Sequence, residues 1–299
     1  MTGGSVGGGP AVRVTLTHVA FTERGADAVG IRGDATDNAA AAREARVFVP
    51  GRVGCGECAL CRRGLVAACA AGRTVIPSAL SAPLIVEVTD RFLTSIDLPR
   101  APSSESLAQV PSPHAAAAGV VAEMLESAAR AGTGPGDCTV WIGGTALAHL
   151  GAAWSARRGC RAFQIGGTAF EGVTPLDLKA GPASWLDAIA GSVEGAASRP
   201  ERKIFVCGRA PSLLQAALAL TSPGSTITAT HGFPSTVAGL DTAIAVRLLA
   251  SPPGYHPDLI PEALAAIRRG DVPIAEAILV EGFDSAGHHP LDRVRVVAI

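Results

Sequence analysis

The sequence predicts an α/β protein of two domains: a small, barrel-like β domain and a parallel, doubly wound sheet. Three observations predict it. The chain has 299 residues, enough for two cores. Up to about Pro111 it reads as short strands punctuated by Gly and Pro, and beyond that point helical and strand patterns alternate. Four of its seven cysteines fall at short spacing within "VGCGECALCRRGLVAAC".

Bulk composition excludes several classes. With 48% hydrophobic and 17% charged residues the chain is globular and not disordered. Lys plus Arg (25) nearly balances Asp plus Glu (26), so no field of one sign is present to hold nucleic acid or an acidic membrane. No apolar run reaches the roughly 18 residues of a membrane span. The start, "MTGGSVGGGPAVRV", lacks a basic and an apolar region and reads as a flexible leader, not a signal peptide. An odd cysteine count with four clustered points to bound metal in a reducing cytoplasm.

The elements follow in order. "VRVTLTHV" alternates as a strand, "ARVFVP" is a second, and "APLIVEVTDRFLTSI" reads as strand, turn, strand. "PSPHAAAAGVVAEMLESAARAG" predicts one helix, apolar enough to be buried. Then come strand "CTVWIGG", helix "TALAHLGAAWSARRG", strand "CRAFQIGG", helix "ASWLDAIAGSVEGA", strand "KIFVCG", helix "PSLLQAALALTSPG" and strand "STITATHG". Repeated βα units predict a parallel sheet. "TAIAVRLLA" predicts one more strand, and "PDLIPEALAAIRRG" a helix ending at Gly270. The last stretch returns to short strands and is expected to rejoin the first domain.

Cys55, Cys58, Cys61 and Cys69 suit a tetrahedral zinc site with sulfurs about 2.3 Å from the metal. Gly54, Gly56 and Gly64 permit the tight turns, and Arg62 and Arg63 are placed to offset thiolate charge. Four thiolate ligands leave no open position, so such a site is structural. The competing reading is free or disulfide-bonded cysteines.

This cysteine segment resembles the structural-zinc lobe of the zinc-containing medium-chain dehydrogenase/reductase family, the alcohol and polyol dehydrogenases. The resemblance extends through "VRVTLTHVAFTERG", "APLIVEVTDRFLTSID", "TVWIGGTALAHLG", "PSLLQAALALTSPGSTITATHG", "IPEALAAIRRGDVPI" and "HHPLDRV". It implies a GroES-like β-barrel domain in two pieces, residues 1–113 and 255–299, with a Rossmann domain at 114–254 between them. The barrel is expected to be shortened, and the chain stops short of the family's usual last helix and strand. The resemblance also implies a homodimer through the Rossmann edge strand, here "TAIAVRLLA".

Departures from the family pattern are as informative. The first ligand of the family's catalytic zinc is a cysteine where this chain has Thr22, and Arg24 replaces a proton-relaying hydroxyl residue. The family's Gly-His-Glu motif has no counterpart, and "ADAVGIRGDATDNAAAARE" reads as too short to hold the barrel strands expected there. Ser112 and His114 stand where an acidic or cysteine ligand is expected. The resemblance therefore implies no catalytic zinc.

The dinucleotide turn reads Gly143-Gly144-Thr145-Ala146-Leu147-Ala148. The first fingerprint glycine is kept, Thr145 replaces the second, and Ala148 replaces the third. The strand "FQIGG" ends at Gly166 without the ribose-binding carboxylate, a place that accommodates the 2′-phosphate of NADP if Thr168 or Arg209 assists. Gly143, Gly144, Thr145, Ala146, Gly166, Thr168 and Arg209 are thus the candidate NAD or NADP residues.

Cys138, Cys160 and Cys207 read as core cysteines. His231 follows a strand at the carboxyl edge of the sheet, and His288 and His289 read as solvated. No Gly-x-Ser-x-Gly elbow is present. Two functions stand side by side. One is a non-catalytic binding or assembly subunit, with a heteromeric partner. The other is a zinc-independent NADP(H)-dependent oxidoreductase of a small carbonyl or activated double bond.

Overall fold

The computed structural model describes residues 11–22, 25–33, 45–63, 65–77, 83–96, 109–167, 170–192, 201–230, 246–250, 254–282 and 293–299. The chain divides into two compact units. Unit 1 holds Met1–Ala122, Gly254–Gly270 and Ile274–Ile299, and unit 2 holds Glu123–Pro253 and Asp271–Pro273.

Unit 1 begins with a long hairpin. Strand β1 (Ala11–Thr22) pairs antiparallel with β2 (Gly25–Gly33), and β2 pairs with β3 (Arg46–Val49). The ribbon β4 (Arg52–Val53) and β5 (Arg73–Thr74) frames a lobe with the short helix α1 (Ala59–Arg62). β6 (Ile85–Thr89) and β7 (Thr94–Ser95) follow, then α2 (Ser112–Ala116). In β1 the residues Val12, Val14 and Leu16 are buried and Ala11, Arg13 and Thr15 exposed, the period of a strand with one face in a core.

One strand, β2, forms within the stretch read as too short for the expected barrel strands; residues 34–44 lie outside the described residues. Gly, Ala and Asp have poor strand propensity, so "GADAVGIRG" hides its strand in the sequence. It forms because β1 and β3 flank it and supply its ladder.

The helix expected over residues 111–132 breaks at Ala117 into α2 and α3 (Ala118–Ala131), and residues 115–128 are buried as expected. Unit 2 continues with β8 (Cys138–Ile142), α4 (Ala146–Arg157), β9 (Arg161–Ile165) and β10 (Val173–Leu176). Then come α5 (Gly181–Gly191), β11 (Arg202–Val206), α6 (Pro211–Ala219), β12 (Thr226–Ala229) and β13 (Arg247–Ala250). The six strands pair in the order β10-β9-β8-β11-β12-β13, all parallel. This is the doubly wound sheet the βα alternation predicts.

β10 is a strand that carries no clear signal in the sequence. It enters through the seven residues between Ile165 and Val173, where a parallel crossover ordinarily takes a dozen or more and a helix. This connection uses α4 as its support. Phe170 stands edge-on to His149 at 5.8 Å, and Gly172 lies against Ala156.

The chain then returns to unit 1 through α7 (Ile260–Arg269), α8 (Ile274–Ala277), β14 (Ile278–Gly282) and β15 (Val294–Ala298). α7 ends on Gly270 at φ 73°, the left-handed cap expected there. β15 pairs antiparallel with β1 and parallel with β14, completing a seven-stranded sheet in which β6 also pairs with β1.

On one face of the parallel sheet Val140, Ile142, Phe163, Ile165, Ile204 and Ile227 join Trp185, Ile189 and Leu220 in a core. On the other, Trp141 stacks on Phe205 with centroids 3.9 Å apart, and its indole N–H donates to Ser155 Oγ at 3.0 Å. Gly151 lets α4 lie flat on that indole, because a Cβ there would enter the Trp141 ring. Gly151→Val is therefore expected to destabilise unit 2 by about 1–3 kcal/mol, read as a lower denaturation midpoint with tryptophan fluorescence.

Candidate functional site

The lobe between β4 and β5 brings Cys55, Cys58, Cys61 and Cys69 together. Each offers one sulfur, and all four lie within 4.8 Å of one another. Among the described residues they are the one group of three or more His, Cys, Asp or Glu side chains able to hold a metal ion. The Sγ separations are 3.9 Å for Cys55–Cys61, 3.8 Å for Cys58–Cys69 and 3.6 Å for Cys55–Cys69. A tetrahedron with metal–sulfur bonds of about 2.3 Å has edges of about 3.8 Å, so the sulfurs already stand at zinc spacing.

Local backbone explains the convergence. Cys58 caps α1, with its sulfur accepting from Cys61 N–H at 3.4 Å. Cys58 N–H donates to Cys55 Sγ, and Cys55 N–H to Cys69 Sγ, each at 3.4 Å. Gly54 passes so close to Cys61 Sγ that a side chain there would displace it, and Gly56 turns at φ +80° beneath the Arg91 guanidinium. Gly64 lies outside the described residues.

The same amides set the thiol chemistry. Backbone N–H groups of Glu57 and Cys58 pull Cys55 down to about 6, and the Cys55 N–H lowers Cys69 as well. Desolvation, with the neighbouring thiols adding to it, pushes Cys61 up to about 12. The site therefore favours a thiolate at some sulfurs and resists one at every sulfur until a cation neutralises them. Zinc fits this donor set, and with four thiolates it would serve to hold the lobe.

Arginines from outside the four-cysteine segment also tie down the lobe. Arg62 and Arg63 are exposed on and just after α1. Arg91, from the single turn after β6, donates to Cys55 O at 2.9 Å, and Arg52 donates to Cys69 O at 3.1 Å. Arg91 is 36 residues from its partner, so local sequence carries no signal of it.

Thr22 closes the β1–β2 hairpin, its hydroxyl donating to Gly25 O at 3.3 Å. Ser112 Oγ accepts from Arg46, and burial lowers the pKa of His114 on α2. Arg24, His231, His288, His289 and Thr168 lie outside the described residues.

In unit 2, Gly143 sits at φ +133° with Cys207 O where a side chain would begin, so this glycine is required. Gly144 faces the carbonyl of Gly166, and Gly166 turns at φ +82° beside exposed Leu178. Thr145 is extended at φ −105° and caps α4. Its Oγ1 accepts from Ala148 N–H and donates to Cys207 O, both at 3.4 Å. Ala146 opens the helix and Arg209 is exposed after β11. Cys138, Cys160 and Cys207 are buried.

No protein-family model matches the sequence, and no curated protein matches it either. Solved structures do. Alcohol dehydrogenase TADH from Thermus sp. ATN1 matches with a TM-score of 0.71 at 14% identity, over 100% of this chain and 95% of that one. The fold is that of the zinc-binding medium-chain alcohol dehydrogenases. Galactitol-1-phosphate dehydrogenase from Escherichia coli shares it with a TM-score of 0.71 at 10% identity, over 97% of this chain and 92% of that one. A short chain alcohol dehydrogenase of E. coli CFT073, complexed with NADH, shares it with a TM-score of 0.72 at 14% identity, over 100% and 94%. The mainly antiparallel sheet of unit 1 corresponds to the GroES-like part of this dehydrogenase fold, and the six-stranded sheet of unit 2 to its Rossmann part. Among the described residues no helix is long and apolar enough to cross a membrane.

The purified protein is expected to hold one equivalent of zinc per chain by elemental analysis. Cys69→Ser is expected to lose it, and Arg91→Ala to keep the metal while releasing it faster to a chelator.

Proposed function

We propose that this chain is a zinc-stapled, non-catalytic relative of the alcohol dehydrogenases that serves as a binding or assembly subunit. The observation that carries this reading is Thr145. The dinucleotide fingerprint needs a bare glycine where the pyrophosphate meets the backbone. Here a branched side chain occupies that place, and its hydroxyl already serves Ala148 N–H and Cys207 O. The strand that carries the ribose-binding carboxylate in dehydrogenases ends in Ile165-Gly166-Gly167. Thr22 stands where the resemblance places a cysteine ligand of the catalytic zinc.

The second reading, a zinc-independent NADP(H) oxidoreductase of small carbonyls or activated double bonds, draws on a different feature. Gly143 keeps the left-handed turn, Gly166 follows β9 with no carboxylate to repel a 2′-phosphate, and Arg209 is exposed in the segment after β11. In that case the chain's own residues would position a cofactor that supplies the hydride.

Self-association through β13 belongs to the same reading of the chain as an assembly protein. The β10 edge of the parallel sheet is guarded by Pro175, which has no N–H to offer a neighbour. The β13 edge carries Leu248, 37% exposed, and no proline within Arg247–Ala250. A second copy pairing along this edge would cover it.

Titration with NADPH and NADH, followed by fluorescence or calorimetry, tests the main reading. The expected result is no binding at millimolar cofactor, with weak binding appearing in Thr145→Gly. Micromolar binding by the unaltered chain, or turnover with an enone, would sink it. Analytical ultracentrifugation is expected to show a dimer that Leu248→Lys converts to monomer.

A further inference from the structure

Asp27 is a half-buried carboxylate in unit 1 that the zinc lobe and the phosphate turn do not use. It sits on β2 opposite Ala20 of β1. One oxygen, Oδ1, accepts two hydrogen bonds, from Gly51 N–H at 2.9 Å and from the Tyr255 hydroxyl at 3.0 Å. The other oxygen lies over Gly119 in the first turn of α3, so close that a side chain at 119 would meet both Asp27 Oδ2 and the Tyr255 ring. Tyr255 is the one tyrosine of the chain, and its ring packs edge-on to Phe48 of β3 with centroids 6.3 Å apart.

Four separate stretches of unit 1 thus meet at one carboxyl group. They are β2, the turn after β3, the start of α3, and the segment at Tyr255. Gly119 lies just before the chain passes into unit 2, and Tyr255 just after it returns.

Among the described residues no charged group acts on Asp27. Ala20 faces Asp27 from β1, Gly51 from the turn, Gly119 from α3, and Tyr255 is the titratable group in contact. The histidines of the neighbouring elements, His18 on β1 and His114 on α2, both have their pKa lowered by burial, and neither contributes to the titration of Asp27. Desolvation pushes the Asp27 carboxyl up to about 6, against the opposing pull of Gly51 N–H and the Tyr255 hydroxyl.

We propose that Asp27 is a proton-sensitive clamp at the meeting point of these four stretches, tighter when the carboxyl is protonated, because ionisation places there a half-buried charge that its two hydrogen bonds do not offset. A carboxyl whose folded pKa exceeds its unfolded value binds its proton more tightly in the folded state. Its contribution to stability is therefore full at low pH and is lost as pH rises through about 6. From pH 8 to pH 5 this one group shifts the folding equilibrium of unit 1 about tenfold toward the folded state.

The test uses the zinc-loaded full chain. Asp27→Asn keeps an oxygen for both donors and cannot ionise. It is expected to melt several degrees above the unaltered protein at pH 8, with the difference closing by pH 5. A difference that is the same at both pH values would overturn the proposal. Carbon-13 NMR of carboxyl groups in aspartate-labelled protein gives a second measurement on the unaltered fold. One aspartate is expected to titrate near pH 6 and to move higher in Tyr255→Phe, which removes a donor to the ionised form. If no aspartate titrates in that range, or if the one that does ignores Tyr255→Phe, the clamp does not exist.

Discussion

Four sulfurs held at tetrahedral spacing determine the shape of the lobe between residues 51 and 76. Little else does. Among its described residues few side chains are buried, chiefly Val53, Cys69 and Ile76, and the helix α1 is a single turn with no buried residue. Amide-to-sulfur bonds aim the thiols inward, and the ribbon β4–β5 brings the lobe's ends together. Burial energy of this size cannot repay the ordering of such a segment, so a metal bound to the thiolates would supply the difference. Arg52 and Arg91 extend the constraint outward, since each holds the carbonyl of a cysteine.

Unit 2 rests on ordinary burial instead. Its sheet is covered on both faces, with an aliphatic layer on one and the Trp141–Phe205 stack on the other. The short crossover into β10 is tolerable because α4 gives it a surface, through His149, Phe170 and Ala156. Thr145 begins that same helix. A residue that caps α4 well is a residue that does not leave its backbone bare, so helix stability and dinucleotide approach compete at one position. This chain has the cap.

Much of this was legible from the residues. The cysteine spacing identified the lobe, and the alternation of helix and strand identified the parallel sheet. Gly270 marked the end of α7. What the residues concealed has physical causes. β2 is made of poor strand formers and exists because its neighbours pair with it. β10 is four residues long and enters without a helix to announce it. The break at Ala117 lies in a run of alanines, which carries no stop signal.

The sequence by itself determined which atoms were available: four thiols in one short segment, a hydroxyl where the phosphate turn wants glycine, and no carboxylate at the end of β9. Those are matters of composition and spacing, and local chain stiffness makes spacing informative. Only the tertiary structure decided which distant groups meet them. Arg91 reaches Cys55 across 36 residues, and Tyr255 reaches Asp27 across 228. Contacts of that separation depend on how the sheet of unit 1 closes, with β15 returning to pair with β1, and no local pattern encodes that closure.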